Sequence, residues 1–199
     1  ALNNNQELFH RLNLEDSCIS YDLDIRDETI TDVFNNFKPE IVFHLAAQPL
    51  VRASYEIPFE TYETNVMGTL NVLENLRKSS SVVASVLITT DKCYENKEWD
   101  RGYKENDRLG GYDPYSSSKA CAELLIKSYQ QSFASESLAI SSARAGNVIG
   151  GGDLSVDRLL PDIYRAIQSN QKIALRNPKA TRPWQHVLEP LVGYLMVAE

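Results

Sequence analysis

The segment YSSSK carries a phenol and an ammonium at a spacing that lets them act together. Tyr115 and Lys119 are four residues apart, so on a helix they lie on one face, one turn from each other. The reference pKa of tyrosine is about 10, but a neighbouring ammonium favours the phenolate, so the pair can take a proton from an alcohol. The same spacing also occurs wherever a surface lysine lies beside a half-buried tyrosine, so it is weak evidence alone.

Three more reactive side chains follow one another in LITTDKCYEN. Thr90, Asp91 and Lys92 come directly after an apolar run, and a solvated loop is the simplest alternative for them. A threonine at the end of a strand, joined to Tyr115 and Lys119, gives a hydroxyl, a phenol and an ammonium. That set suits hydride chemistry on a secondary alcohol.

The elements that must position these side chains alternate between strand and helix. Apolar runs predict strands at residues 17–23, 41–45 (buried) and 82–89 (interior to a sheet), and a fourth strand with its loop in LAISSARAGNVIG. Helical spacing predicts helices in DIRDETITDVFNNFKP, in FETYETNVMGTLNVLENLRKS, from Pro114 onward with an apolar face that includes Leu124, and over residues 159–169. This alternation predicts an α/β fold with a parallel sheet, in which ligands bind beyond the carboxyl ends of the strands. Thr90, Asp91 and Lys92 fall at such an end.

The composition narrows the class of protein further. The chain has 199 residues, 43% of them hydrophobic, which suffices for a substantial core. A formal net charge of -7 without a basic block argues against binding to nucleic acid or to an anionic membrane surface. No apolar run approaches the roughly 20 residues that span a bilayer. The three cysteines and three histidines are scattered, which argues against a disulfide framework or a metal site and favours the reducing cytoplasm.

Five motifs appear in an order and spacing that resemble one enzyme family. They are HLAAQ at residues 44–48, TNVMGT at residues 64–69, Thr90, YSSSK and ARAGNVIG. The chain resembles the extended short-chain dehydrogenases/reductases that act on nucleotide sugars. The resemblance implies a Rossmann-like, doubly wound parallel sheet and NAD as the cofactor.

The resemblance also implies roles for individual residues. Thr90 would hydrogen-bond the sugar 4-hydroxyl, Tyr115 would be the base, and Lys119 would hold the nicotinamide ribose and tune Tyr115. The cofactor would further be bound by an acidic and apolar pair at the adenine and by the HLAAQ segment, namely Asp24, Ile25, Leu45, Ala46, Ala47 and Gln48. An alternative for Asp24 is that it caps the N-terminus of a helix.

Asp91 and Lys92 separate the branches of this family. A 4-epimerase only oxidises and re-reduces C4, whereas a 4,6-dehydratase also needs an acid for the departing C6 hydroxyl and a base for the C5 proton. Asp91 matches the acid. Lys92 stands where the dTDP-glucose dehydratases have a glutamate base, and TTDKCYENKEW resembles the dehydratases of CDP-glucose. The resemblance thus implies a lyase with CDP-glucose as its substrate, and it leaves open whether Lys92 itself is the C5 base, which would require a lowered pKa.

Three further residues match substrate-binding positions of the family. Arg158 and Arg182 would hold the diphosphate with their guanidinium forks, and Asn147 would lie between the nicotinamide and sugar sites. The alternatives among enzymes are another nucleotide-sugar 4,6-dehydratase or a 4-epimerase, and the alternative of a different class is an inactive dinucleotide-fold scaffold or sensor. Family members are commonly homodimers through the helices that flank YSSSK.

The glycine-rich turn that a dinucleotide site uses at its pyrophosphate is not found in these 199 residues. We therefore expect a fragment of a longer chain, cut at both ends, that lacks the first strands of the sheet and the C-terminal part of the substrate domain. Residues 1–147 would be a partial NAD-binding domain, and residues 148–199 a partial nucleotide-sugar-binding region that returns to the sheet near its end. Expressed alone, this fragment should be inactive and bind NAD poorly.

Overall fold

The computed structural model describes the backbone of residues 4–199 and the side chains from residue 8 onward. The chain forms two compact units. The larger comprises Leu23–Gly146 and Pro190–Glu199, and the smaller comprises Asn147–Glu189 and the N-terminal segment that ends at Asp22. The division of the chain into functional domains at residues 147 and 148 stays a prediction.

A parallel three-stranded sheet forms the centre of the larger unit. Its strands are β1 (Ile41–His44), β2 (Ala84–Ile88) and β3 (Ala139–Ala143), in the order β1-β2-β3. Parallel pairing requires crossover connections, and these are helical here. They are α3 (Val51–Glu56), α4 (Pro58–Tyr62), a π-helical turn (Glu63–Gly68) and α5 (Thr69–Lys78) between β1 and β2, and α6 (Pro114–Phe133) between β2 and β3. The predicted α/β class with parallel pairing is confirmed.

The core of the larger unit lies where α5 and α6 cover the sheet. Leu73 and Leu76 of α5, Leu87 of β2, Ile126 of α6 and Ile140 of β3 are all buried. Helix α2 (Ile30–Phe37), which ends before Pro39 as predicted, adds Ile30 and Phe34 to the margin of this cluster. Burial of such side chains contributes on the order of 2 kcal/mol each, so the helices hold the strand ends in fixed positions.

The smaller unit contains α1 (Asn4–Arg11), a 3-10 turn (Leu14–Asp16) and α7 (Leu159–Gln168). Two short strands, β4 (Asn147–Ile149) and β5 (Trp184–His186), pair in parallel in a sheet of their own. Helix α8 (Leu188–Ala198) follows, and from Pro190 onward it belongs to the larger unit. The helix predicted over residues 159–169 is confirmed.

Four predictions about these elements are wrong. Residues 17–23 are exposed and not a strand, because within the described chain no neighbouring strand pairs with their backbone groups. The buried strand at 41–45 ends at His44, and Ile41 and Leu45 are half exposed because β1 is an edge strand. The single fourth strand is two strands, β3 and β4, in separate sheets. Leu124, assigned to the apolar face of α6, is 58% exposed.

The long helix predicted in FETYETNVMGTLNVLENLRKS exists, but a π-helical turn divides it. Within this turn Asn65 and Gly68 are buried. A Cβ at Gly68 would lie 2.6 Å from Ile25 Cδ1, so the glycine lets the segment after residue 23 approach the helix. A π-helical turn inserts one residue into a helix and is common at functional sites.

Candidate active site

The residues after β2 form a turn that brings three polar groups together. Thr90 is buried and extended, and it precedes a 3-10 turn at Asp91–Cys93. The Thr90 hydroxyl donates to Asp91 Oδ1 over 3.1 Å, and Lys92 Nζ donates to the same oxygen over 3.2 Å. The Lys92 backbone N–H points to Thr90 Oγ1 at 3.4 Å. Thr90, Asp91 and Lys92 therefore act as one hydrogen-bonded unit.

Helix α6 begins with a well-formed cap that sets the direction of its first turns. Asp113 accepts hydrogen bonds from the Ser116 N–H (2.9 Å) and the Ser116 hydroxyl (2.6 Å), and Pro114 occupies the first helical position. A Cβ at Gly111 would overlap backbone atoms of Ser116 and Ser117, so only glycine fits there. The capped helix carries Tyr115 and Lys119, both of which are buried.

Lys119 joins α6 to the carboxyl end of β2. Its ammonium donates to the carbonyl oxygen of Ile88 over 2.9 Å, two residues before Thr90. Only 4% of Lys119 is exposed, and burial lowers its pKa to about 8, while the charge of Glu123 acts in the opposite direction. The structure thus brings Thr90, Asp91, Lys92, Tyr115 and Lys119 to the same end of the same unit.

A polar network links the HLAAQ segment to this helix. Asn65, in the π-helical turn, accepts from the Gln48 N–H (2.8 Å) and donates to the Gln48 carbonyl (3.1 Å) and to the Ser118 hydroxyl (2.9 Å). The Ser118 hydroxyl in turn donates to the Tyr115 carbonyl over 2.7 Å. Leu45 and Ala46 are exposed, and Ala47 and Gln48 are half-buried. The network fixes the loop after β1 against the start of α6.

His44, the last residue of β1, is buried beneath this network. The Thr69 hydroxyl donates to the Asn65 carbonyl over 2.8 Å, so the His44 Nε2 atom, 3.0 Å from Thr69 Oγ1, must be the donor of that hydrogen bond. Burial, with a smaller effect of the Lys119 charge, lowers the pKa of His44 to about 4. His44 is therefore a neutral structural histidine at physiological pH.

Asp24 and Ile25 lie in the loop before α2. Asp24 accepts from the Arg26 N–H (2.9 Å) and from the Arg26 side chain at Nε (3.0 Å) and Nη2 (2.6 Å), and these hydrogen bonds lower its pKa. The alternative that Asp24 caps a helix is wrong, because α2 begins at Ile30 with Thr29 at its cap position. The Ile25 carbonyl accepts from Asn71 of α5 over 2.8 Å.

The three residues predicted to bind substrate all lie in the smaller unit. Arg158 pairs with Asp153 over 3.0 Å, and Arg182 is exposed and donates to the Thr181 carbonyl over 2.7 Å. The Asn147 Oδ1 atom is buried and has no hydrogen-bond partner within the described residues. Such an orphaned acceptor is a candidate for a ligand or water contact.

Sequence reasoning missed Glu123 as a site-forming residue. Glu123 follows Lys119 by one helical turn and is buried, and its carboxylate pairs with Arg144 over 2.5 Å. A charged residue four positions after Lys119, inside a helix with an apolar face, is the signal that could have revealed it.

Cys93 ends the 3-10 turn after Thr90 and is fully buried. Burial raises the pKa of its thiol to about 12. Cys18, Cys93 and Cys121 are all free thiols. Within the part of the chain that the structure describes, no group of three or more histidine, cysteine or acidic side chains is placed to bind a metal ion, and no helix is long and apolar enough to cross a membrane.

The fold and the cluster together define a class: a Rossmann-like α/β protein of the short-chain dehydrogenase/reductase type, with its Tyr and Lys on the helix beside the central strand. Comparison with known families narrows this class. The family model described as GDP-mannose 4,6 dehydratase matches residues 2–199. The chain belongs to that family.

Individual relatives agree with this assignment. The chain is 54% identical, over 199 residues, to a CDP-glucose 4,6-dehydratase of Salmonella typhimurium, and the match covers 96% of this chain and 55% of the relative. The chain thus spans about half the length of the curated relatives it matches.

Solved structures show the same fold. A UDP-glucuronic acid 4-epimerase from Bacillus cereus, in complex with UDP-glucuronic acid and NAD, superposes with a TM-score of 0.83 at 21% identity, covering 96% of this chain and 59% of that one. A dTDP-glucose 4,6-dehydratase from Streptomyces venezuelae with NAD bound superposes with a TM-score of 0.78 at 25% identity, covering 88% and 52%.

Proposed function

We propose that this chain carries the proton-transfer groups of an NAD-dependent 4,6-dehydratase that converts CDP-glucose to CDP-4-dehydro-6-deoxyglucose. The observation that carries the proposal is the turn in which Thr90 and Lys92 both donate to Asp91 Oδ1, directly after β2. A 4-epimerase has no use for an acid at this position. The 54% identity to a CDP-glucose 4,6-dehydratase supports the choice of nucleotide.

The residues at the carboxyl ends of β1 and β2 fit a nicotinamide dinucleotide. The Lys119 ammonium uses one N–H on the Ile88 carbonyl, so its remaining N–H groups suit ribose hydroxyls. Leu45, Ala46, Ala47 and Gln48 offer a short, largely accessible segment for the dinucleotide, and we place Asp24 and Ile25 at its adenine. When bound, NAD would supply the oxidant for C4 and the reductant for C6.

The protein groups would then handle the protons in turn. Tyr115 accepts the proton of the C4 hydroxyl while Thr90 hydrogen-bonds its oxygen. The resulting ketone acidifies the C5 proton, which a base removes; a proton must return to C5 when hydride is delivered to C6. Asp91, through the Oδ2 atom that is free of Thr90 and Lys92, would donate a proton to the departing C6 hydroxyl, which leaves as water.

Lys92 has two candidate roles in this sequence. Its ammonium donates to Asp91 Oδ1 over 3.2 Å, so it is already engaged with the proposed acid, which opposes a role as the C5 base. As the partner of Asp91 it would instead orient the acid and any water that takes the proton. We assign the diphosphate to Arg158 and Arg182, and the sugar edge to Asn147, whose buried Oδ1 atom lacks a partner within the described chain.

A direct assay tests the proposal. Full-length protein incubated with CDP-glucose should give the absorbance of a 4-keto sugar in alkali, and dTDP-glucose should give none. Asp91→Asn should lower the rate about 100-fold or more, because its side chain cannot protonate the leaving hydroxyl. A signal with dTDP-glucose alone would overturn the choice of substrate. Epimerised CDP-sugar without a keto product would replace the dehydratase by a 4-epimerase.

We also propose a homodimer in the cytoplasm. Leu124 and Phe133 of α6 are exposed apolar side chains on a helix that flanks the site, and they suit a helix-to-helix interface. Light scattering of the full-length protein should give twice the monomer mass, and Leu124→Glu should halve it. The three free thiols are consistent with a reducing compartment.

A further inference from the structure

A buried carboxylate lies directly beneath the turn that carries Thr90 and Asp91. Glu123 is 3% exposed and accepts three hydrogen bonds. The Thr89 hydroxyl donates to its Oε1 atom, while Ser142 (3.2 Å) and Arg144 (2.5 Å) donate to its Oε2 atom. One side chain of α6 thereby holds residues at the carboxyl ends of both β2 and β3.

Arg144 extends this contact to the far side of the turn. Its Nη1 atom donates to the Tyr94 hydroxyl (2.9 Å) and to the Glu105 carbonyl (3.0 Å), and its guanidinium carbon lies 5.0 Å from the centroid of the Tyr94 ring. Tyr94 directly follows the Asp91–Cys93 turn. Arg144 therefore bridges α6 and the loop that leaves the turn.

The backbone around Arg144 also holds the turn itself. The Thr89 N–H donates to the Ala143 carbonyl over 2.8 Å, and the Asp91 N–H donates to the Ala145 carbonyl over 3.0 Å. These are the residues on either side of Arg144. Arg144 therefore lies between the two residues whose carbonyl oxygens hold the backbone on either side of Thr90.

We propose that Arg144, held by Glu123, is a positioning residue that fixes residues 90–93 so that Thr90 and Asp91 meet the substrate in one geometry. The proposal rests on the dehydratase function proposed above. With only 17% of its side chain exposed and its guanidinium committed to three partners, Arg144 is not available to bind a phosphate. The guanidinium fork is required because Nη2 reaches Glu123 on α6 while Nη1 reaches Tyr94 after the turn. A lysine has only one nitrogen and cannot reach both.

The electrostatic setting supports the pairing. Lys119 lies one turn before Glu123 on α6. The carboxylate of Glu123 interacts electrostatically with both the Lys119 ammonium and the Arg144 guanidinium. Burial opposes the charge of Arg144, but the hydrogen bonds with Glu123 and Tyr94 raise its pKa, so it stays a cation. Glu123 would remain paired with a buried cation in every state of the reaction.

Full-length protein with NAD and CDP-glucose provides the test, with Arg144→Lys, Arg144→Met and the control Arg77→Met. Arg77 forms an Arg–Glu pair with Glu74 at the end of α5, remote in sequence from every residue assigned to the site. We expect kcat to fall about 10-fold in Arg144→Lys and about 100-fold in Arg144→Met, with KM changed less than about threefold, because misplacement of a catalytic group by about 1 Å slows the reaction without weakening binding. Arg77→Met should match the wild type.

A second measurement does not depend on turnover. Hydrogen exchange of the amides in residues 89–94, followed by mass spectrometry, should be about tenfold faster in both Arg144 variants, while exchange in α5 stays as in the wild type. Wild-type kcat and wild-type exchange in Arg144→Lys would overturn the proposal, as would a rise in KM alone. If Arg144→Met does not fold, Arg144→Lys decides. If the wild type does not dehydrate CDP-glucose, the dehydratase proposal fails, and the exchange data still decide whether Arg144 fixes the turn.

Discussion

Lys119 donates a hydrogen bond from its ammonium to the carbonyl oxygen of Ile88 over 2.9 Å, which places a buried positive charge under the last residue of β2. Burial lowers the pKa of Lys119 from 10.5 to about 8, so the side chain is still mostly an ammonium at pH 7. A group whose folded pKa is lowered in this way binds fewer protons in the folded state between pH 8 and 10.5. Its contribution to stability therefore improves as the pH rises through that window.

Lys119→Met should therefore abolish activity and stabilise the fold. At pH 7 we expect the free energy of unfolding to rise by about 2 kcal/mol, because the desolvation of the ammonium is relieved and only one hydrogen bond is lost. Urea unfolding followed by circular dichroism measures it. The matched control is Lys127→Met, two turns further along α6 and exposed, where the change should stay within about 0.5 kcal/mol. A destabilised Lys119→Met would show that the ammonium is a net stabilising group.

The role of Lys92 can be separated from that of Asp91 by isotope exchange. Lys92→Ala should stop solvent deuterium from entering C5 of the sugar if Lys92, or a water that it orients, is the base. Lys92→Gln should restore part of the exchange if orientation matters, because an amide can still donate to Asp91 Oδ1. Mass spectrometry of the recovered sugar nucleotide gives the answer. Unchanged exchange in Lys92→Ala would remove Lys92 from this step.

His44 should make the fold sensitive to mild acid. Its pKa is about 4 in the folded protein and 6.5 in the reference state, so the unfolded chain binds more protons in this window and stability falls as the pH drops from 6.5 to 4. The loss should approach about 3 kcal/mol at pH 4. His44→Gln, which retains a donor for Thr69, should show a flatter dependence between pH 6.5 and 4.5. Parallel curves for the two proteins in that interval would contradict a buried neutral histidine.

Gly111 should be irreplaceable at the entry to α6. A Cβ there would overlap the backbone of Ser116 and Ser117, so Gly111→Ala must displace the helix start or the cap made by Asp113. We expect a loss of about 3 kcal/mol in the free energy of unfolding, with lower activity because Tyr115 moves with the helix start. Gly102→Ala is the control, since no atom lies within 4 Å of the added methyl group. Equal stabilities of the two variants would refute the steric argument.

The parts of the fold that sequence could predict are those whose signals are local. The apolar run before Thr90 and the proline that opens α6 predict β2 and the helix start, and both follow from period and cap chemistry. Tyr115 and Lys119 could be placed on one face of α6 because residues four positions apart lie on the same side of a helix. Their meeting with Thr90 follows from the rule for parallel sheets.

The rest depends on contacts between distant segments. Residues 17–23 have strand-like composition, but a strand also needs a partner for its backbone groups. The π-helical turn escapes a search for a single helical period, because one inserted residue shifts the phase by about 100°. Glu123 and Arg144 are 21 residues apart and meet only because β3 returns beside β2.

The buried thiol of Cys93 can report how often the turn at residues 91–93 opens. Burial raises the pKa of the Cys93 thiol to about 12 and leaves its side chain inaccessible, so an alkylating reagent can react only after residues 91–93 open. If Cys18 and Cys121 are replaced by serine, only Cys93 can be labelled, and its labelling rate measures the rate at which the turn opens. A chemist could thus time the loosening of the turn that holds Thr90 without any substrate present.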